Sequence, residues 1–255
     1  PQSTEEAPTA AAVTGRVTFA GSTTVQPLAA EIGKAFNEMY PDVTLEIAAG
    51  GSSVGIRAIH DGTVDIGMTS RNLSAEEAEG IEVHQVAVDV IAMVVNSANP
   101  VSDLTMDQIR GIYSGEITNW SEVGGNDAAI TVAVRETTSG TRKAFDELVL
   151  DKEEPTAPMM EKLMTAGDVA ALVIQNADAI GYVGFGNFEE GLKPLMVDGV
   201  EPTEENARNG DYTLKRPLQL LTGPLTQPLA MDFIEYAMSA DGQQLVIDSG
   251  WIPAN

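Results

Sequence analysis

The sequence predicts an α/β fold, a mainly parallel sheet with crossover helices, and three observations carry that expectation. Short β-branched or apolar runs alternate with apolar stripes at helical spacing through the first part of the chain. The carboxyl ends of those runs carry small, hydroxyl-bearing residues, where open α/β sheets place their ligands. At 255 residues, 43% hydrophobic and 20% charged, the chain is long enough for one large domain or two lobes, each with a core.

In order, residues 17–20 form a short strand that ends in Gly21-Ser22-Thr23-Thr24. A helix follows with Val25, Leu28, Ala29, Ile32, Phe36 and Met39 on one face, and Pro41 stops it. Residues 43–48 make the next strand, Gly50-Gly51-Ser52-Ser53 the turn, and a short helix runs to about His60. A third strand at 64–68 ends in Thr69-Ser70-Arg71. The apolar run 83–96 exceeds an ordinary strand and is expected to pass from one lobe into another. Residues 104–113 read as a helix, 130–134 as a buried strand, and 142–150 as a helix carrying Phe145, Leu148 and Val149. An acidic, proline-containing loop covers 151–158, and a helix covers 168–176. Strands are expected at 180–185, 192–197 and 218–221, the last returning to the first lobe. A helix at 227–238 and a terminal segment at 241–253 complete the chain, which has no repeat of fixed period.

Arg135-Glu136-Thr137-Thr138-Ser139-Gly140-Thr141 sits on the turn from a strand to a helix. The unpaired N–H groups of a helix's first turn point into such a turn. Ser139 and Thr141 add hydroxyls, Gly140 allows close approach to the backbone, and Arg135 supplies a planar fork of donors. These are the parts of an anion cradle. Alone they describe equally well a capped helix beside a surface arginine. Three further strand ends, Ser22/Thr23/Thr24, Ser52/Ser53 and Ser70/Arg71, tip the balance towards an anion site.

Composition narrows the classes. Thirty-eight acidic residues against fourteen basic ones leave a formal charge of −24, which repels nucleic acid and anionic lipid. Any anion must therefore be held by a few local donors against an unfavourable overall field. Cysteine is absent, so there is no disulfide framework and no thiolate metal site. No run of roughly 18 apolar residues offers a membrane-crossing helix. Residues 1–14, rich in Ala, Thr, Glu and Pro, are expected to be a disordered tether on an exported chain trimmed of its membrane anchor.

Rival chemistry is weaker. Gly51-Ser52-Ser53-Val54-Gly55 matches the G-x-S-x-G elbow of hydrolases between a strand and a helix. That fold needs a late histidine, and the only histidines are His60 and His84. Neither the metal cluster nor the activated nucleophile of a phosphatase is visible. The paired glutamates, such as Glu76-Glu77 and Glu204-Glu205, read as solvated faces or helix starts.

With Gly21-Ser22-Thr23-Thr24, Gly51 to Gly55 and Asp65-Ile66-Gly67-Met68-Thr69-Ser70-Arg71 in place, a family resemblance emerges. It extends through Ile112-Tyr113-Ser114-Gly115-Glu116-Ile117-Thr118-Asn119-Trp120, Arg135 to Thr141, and the closing Gly250-Trp251-Ile252-Pro253. In these motifs, from residue 17 to 253, the chain resembles the phosphate-binding proteins that deliver ligand to ABC importers. The resemblance implies a two-lobed periplasmic-binding-protein fold (type II), each lobe a mainly parallel sheet flanked by helices. Lobe 1 would comprise 15–91 with 221–255, and lobe 2 would comprise 92–220.

The resemblance also implies inorganic phosphate held in the interlobe cleft without metal or cofactor, and no catalysis. Ser22, Thr23, Thr24, Ser52, Ser53, Ser70 and Arg71 would face the ligand from one lobe, and Arg135, Ser139, Gly140 and Thr141 from the other. The partner would be the membrane permease of an ABC importer, met by a monomer at the periplasmic or extracellular face, where a removed N-terminus could carry a lipid anchor. Some members carry an aspartate at the Ser70 position, accepting a hydrogen bond from protonated phosphate. Its absence leaves Asp65 as the nearest carboxylate for rejecting sulfate. The rival classes are a receptor for sulfate or a similar oxyanion, a phosphomonoesterase, and an adhesion or scaffold protein on the same fold.

Overall fold

A computed structural model describes residues 13–254. The expected tether, 1–14, falls almost wholly outside the described residues. The first lobe opens with β1 (Gly15–Gly21), α1 (Val25–Met39), β2 (Val43–Ala49), α2 (Ser52–His60) and β3 (Ile66–Thr69). Strand β4 (Glu82–Asn96) follows, then β5 (Asp103–Leu104), α3 (Met106–Ser114), β6 (Thr131–Arg135), α4 (Gly140–Leu148), β7 (Met160–Leu163) and α5 (Ala166–Gln175). Next come β8 (Ala179–Gly184), β9 (Leu192–Pro194), β10 (Met196–Val197), α6 (Glu204–Asn209) and β11 (Lys215–Thr222). Helices α7 (Pro228–Met238) and α8 (Ala240–Asp248) and strand β12 (Ile252–Pro253) close the chain.

Local chemistry accounts for the boundaries. Helix α1 buries Val25, Leu28, Ala29, Ile32 and Phe36 of the predicted stripe, leaves Met39 exposed in its last turn, and ends just before Tyr40-Pro41. Thr105 and Gln108 form a reciprocal capping box at α3, and Gly115 closes that helix in the left-handed region at φ +83°. Thr165 and Asp168 do the same at α5, which starts that helix two residues before the stretch its apolar periodicity marks. Thr203 caps Glu204–Asn209, confirming Glu204-Glu205 as a helix start.

The main sheet has ten strands in the order β2-β1-β3-β11-β4-β8-β6-β7, with β9 and β12 also on β4. It is mixed rather than mainly parallel. β1 pairs parallel with β2 and β3, and β6 pairs parallel with β7 and β8, while β11 and β4 pair antiparallel with each other and with their other neighbours. The reason is topological: a chain that leaves one lobe and later returns crosses twice in opposite directions. Crossover helices, and the parallel pairing they impose, belong to the flanks.

Strand β4 is the long apolar run of the sequence, 15 residues in one strand. Its first part, from Glu82 to Val90, pairs with β11, and its second, from Ile91 to Val95, pairs with β8. One apolar core gathers Phe19, Leu28, Ile32, Phe36, Val86, Leu218 and Phe233. Another gathers Ile91, Met93, Tyr113, Trp120, Phe145 and Tyr182, with a smaller cluster around Val94 and Val169 behind it. The expected strand 192–197 is broken: Pro194 has no N–H to continue a ladder, and β10 leaves to pair with β5.

Phe233 lies edge-on to Phe19 and Phe36, with ring centroids 4.9 and 5.3 Å away. Phe233→Ala is expected to cost about 3–5 kcal/mol in urea unfolding, as large cavities do; a loss under 1 kcal/mol would show that the core collapses around the gap.

Candidate functional site

The carboxyl ends of β1, β3 and β6 and the amino ends of α1, α2 and α4 converge between the two cores. Ser22, Thr24, Ser52, Ser70, Arg135, Ser139 and Thr141 are all buried there, while Thr23 and Ser53 are partly exposed. Burial of so many hydroxyls demands partners, and they find each other. Ser22 Oγ donates to Ser70 Oγ at 3.0 Å and accepts from the backbone N–H of Thr24 and Val25. Ser52 Oγ accepts from Ser70 N at 3.0 Å and lies 3.3 Å from Ser70 Oγ. Ser139 Oγ caps α4 by accepting from Arg142 N.

Contacts also run from one side of the cleft to the other. Thr24 Oγ1 and Thr141 Oγ1 are 3.2 Å apart, Arg135 Nη2 donates to Thr23 Oγ1 at 3.2 Å, and Ser53 N donates to Thr138 O at 3.1 Å. Gly140, first residue of α4, is packed against Ser52 and Ser70, and a Cβ there would lie 2.7 Å from Ser70 Oγ and closer still to Ser52 Oγ. Only glycine permits this approach. Arg135 is held by its own N–H on Tyr182 OH and by Nη2 on Met164 O, while its wholly buried Nε donates to no protein atom. Burial draws this guanidinium down to about 10, so it remains a cation at neutral pH.

Arg71 departs from expectation. Although it follows Ser70, its guanidinium turns away to both oxygens of Glu77 at 2.7 Å, to Asn72 O, and to Ser53 Oγ at 3.4 Å. An ion pair within reach outcompetes an aqueous cleft for a flexible side chain. The second guanidinium at the cradle is Arg216, at the start of β11. It donates to Thr24 Oγ1 at 3.2 Å, to Ser70 Oγ at 3.3 Å and to Asp89 Oδ2 through Nε and Nη2. Spacing gave no sign of Arg216. Asp89 did carry a signal, as a lone carboxylate inside the longest apolar run.

Asp65, the expected discriminator against sulfate, is also misplaced. It accepts from Thr18 N and Oγ1 at 2.8 Å, at the amino end of β3, a strand's length from the cradle. Among the described residues no histidine is hydrogen-bonded to the elbow serine: His60 bonds Glu77 O and His84 bonds Thr222 Oγ1. Among the described residues, no group of three or more His, Cys, Asp or Glu side chains is arranged to hold a metal ion.

Two apolar cores joined by crossing strands, with donors from both facing one cleft, define a two-lobed binding protein. The chain belongs to the PBP superfamily, whose domain model matches residues 5–241. It is 35% identical to the phosphate-binding protein PstS of Bacillus subtilis over 94% of this chain and 81% of that one. It is 30% identical to PstS of Borreliella burgdorferi, covering 92% and 89%. Its structure matches a candidate phosphate ABC transporter substrate-binding protein from Clostridium perfringens, solved with bound phosphate, at TM-score 0.91 and 39% identity, covering 94% and 100%. An ABC-type phosphate transport receptor from Vibrio cholerae matches at TM-score 0.77 and 33% identity, over 94% and 100%.

Two expectations follow from this geometry. Gly140→Ala will leave α4 intact, because alanine suits a helix, but will hold the lobes apart. Hydrogen exchange at the Ser53 amide should accelerate, and unchanged protection would show that the cleft absorbs the methyl group. Separately, its bonds to Arg71 hold the Glu77 carboxyl at about 2, well below its ordinary 4.5. The folded state therefore resists protonation, so this stabilisation is complete above 4.5 and lost as pH falls towards 2. Urea unfolding of Glu77→Gln should show a flatter pH dependence in that window; an unaltered slope would mean the pair adds nothing.

Proposed function

We propose that this protein captures inorganic phosphate between its lobes on the extracytoplasmic side of a membrane and delivers it to the permease of an ABC importer. The observation that carries the reading is the convergence of donors from both sides of one cleft, with Arg135 on Thr23 and Thr141 on Thr24. Relatives named for phosphate binding, and a neighbour solved with phosphate bound, support that ligand.

The ligand set is Ser22, Thr23, Thr24, Ser52, Ser70, Arg135, Ser139, Gly140 and Thr141. Ser53 and Arg71 line its outer edge, where Arg71 fixes Ser53 and Glu77. Desolvating an anion is costly, and charge-assisted bonds from Arg135, together with hydroxyl and backbone N–H donors at helix amino ends, offset it. Donors on both lobes favour the closed form, because only there can one anion meet them all.

Calorimetric titration with phosphate, sulfate and arsenate tests the reading, and phosphate should bind most tightly. Arg135→Ala should lose at least about 2–5 kcal/mol of phosphate binding, as loss of a desolvated charge partner does. Near-normal affinity in that variant would refute the assignment. Turnover of a chromogenic phosphate ester would replace capture with a reaction.

A further inference from the structure

We propose that Arg216, fixed by Asp89, is the positioning residue of the cradle: it occupies lone pairs of Thr24 and Ser70 so that both hydroxyl protons are available to the anion. This rests on the phosphate reading above and adds a residue to it.

The two side chains face each other in register on the crossing strands, Arg216 of β11 opposite Asp89 of β4. Both are buried, with side-chain exposures of 1% and 0%. Nε and Nη2 of Arg216 hold Asp89 Oδ2 at 3.0 and 2.7 Å. That leaves N–H groups pointing the other way, and these meet two hydroxyls of the proposed ligand set, Thr24 Oγ1 at 3.2 Å and Ser70 Oγ at 3.3 Å.

The consequence follows from hydroxyl chemistry. A serine or threonine oxygen has one proton and two lone pairs. Ser70 Oγ receives Ser22 on one lone pair and Arg216 on the other. What remains is its proton, directed at Ser52 Oγ 3.3 Å away, on an oxygen that also faces Gly140 at the head of α4, where an anion can replace Ser52 as its acceptor. Arg216 likewise takes one lone pair of Thr24 Oγ1, whose proton is left for a partner across the cleft, where Thr141 Oγ1 lies 3.2 Å away. Hydroxyls that would otherwise rotate freely are thereby set as donors before the ligand arrives, which lowers the cost of binding.

Asp89 holds the guanidinium in this pose. Its other oxygen accepts from Phe185 N at 2.9 Å, so the carboxylate is fastened to the second lobe while Arg216 reaches the hydroxyls of the first. A Cβ on Gly184 would lie 2.8 Å from Asp89 Oδ1, so glycine is needed for the carboxylate to lie this close.

Two variants and one measurement on the unaltered protein test this. Arg216→Lys keeps the charge but cannot reach Asp89, Thr24 and Ser70 with one nitrogen. Asp89→Asn/Arg216→Gln removes both charges together, which spares the fold the cost of a lone buried ion. In each, inorganic phosphate should bind at least tenfold more weakly by calorimetry, with the circular dichroism spectrum and urea midpoint of the double variant close to wild type. In wild type, the guanidinium nitrogen resonances of Arg216 should shift on saturation with phosphate. A folded variant binding within threefold of wild type, or Arg216 resonances that ignore phosphate, overturns the proposal. Absence of any phosphate heat from wild type, run alongside, would instead remove the phosphate reading itself.

Discussion

Everything about the cleft follows from the cost of burying hydroxyl and guanidinium groups without water. An unpaired buried donor or acceptor costs about 1–3 kcal/mol, and the cleft holds at least seven buried polar side chains. The structure meets this by making them partners of one another: Ser22 with Ser70, Ser52 with Ser70, Thr24 with Thr141, Arg135 with Thr23. Oxygens of a tetrahedral anion can take over such contacts because each hydroxyl keeps a proton it can donate to them. The network therefore holds the cleft in shape and serves as a template for a tetrahedral anion.

The acidic character of the chain gives this network a second purpose. A formal charge of −24 would repel phosphate at long range, but at physiological ionic strength screening sets in over about 8 Å. Within the cleft the guanidiniums of Arg135 and Arg216 flank the carboxylate of Asp89, which is itself bonded to Arg216. Burial pushes the Asp89 carboxyl up and Arg216 opposes it. The local field is thus set by Arg135, by the helix amino ends and by oriented hydroxyls, so capture depends on what happens after the anion has entered.

Much of this was legible in the sequence, and the limits have physical causes. Periodicity located α1, α2, α3 and α7 and the run 83–96 because each buries a continuous apolar face. The strand ends Gly21-Ser22-Thr23-Thr24, Ser52 and Arg135 to Thr141 announced the cradle because local turn chemistry places them. Strand direction was not legible: β4 and β11 are antiparallel because the chain crosses twice between lobes, a fact about distant segments. The same blindness misplaced Arg71 and missed Arg216. Arg71 lies beside Ser70 in sequence yet points to Glu77, while Arg216, 146 residues away, touches the Ser70 hydroxyl.

Closure can be weighed with the same contacts. The lobes meet through hydrogen bonds such as Thr24–Thr141, Ser53–Thr138 and Arg135–Thr23, each worth about 0.5–1.5 kcal/mol net, rising to about 3 where a charge is involved. Turning a mostly open population into a mostly closed one takes about 5.5 kcal/mol of differential affinity. Four charge-assisted bonds from an anion, at about 1.5–3 kcal/mol each, supply that amount. The contacts already made across the cleft bring the closed form within reach, and the approach of Gly140 to Ser52 limits it to ligands small enough to fit between them. A receptor that must release its cargo to a permease needs this balance: closure strong enough to follow phosphate, and weak enough to be reversed when the lobes are drawn apart.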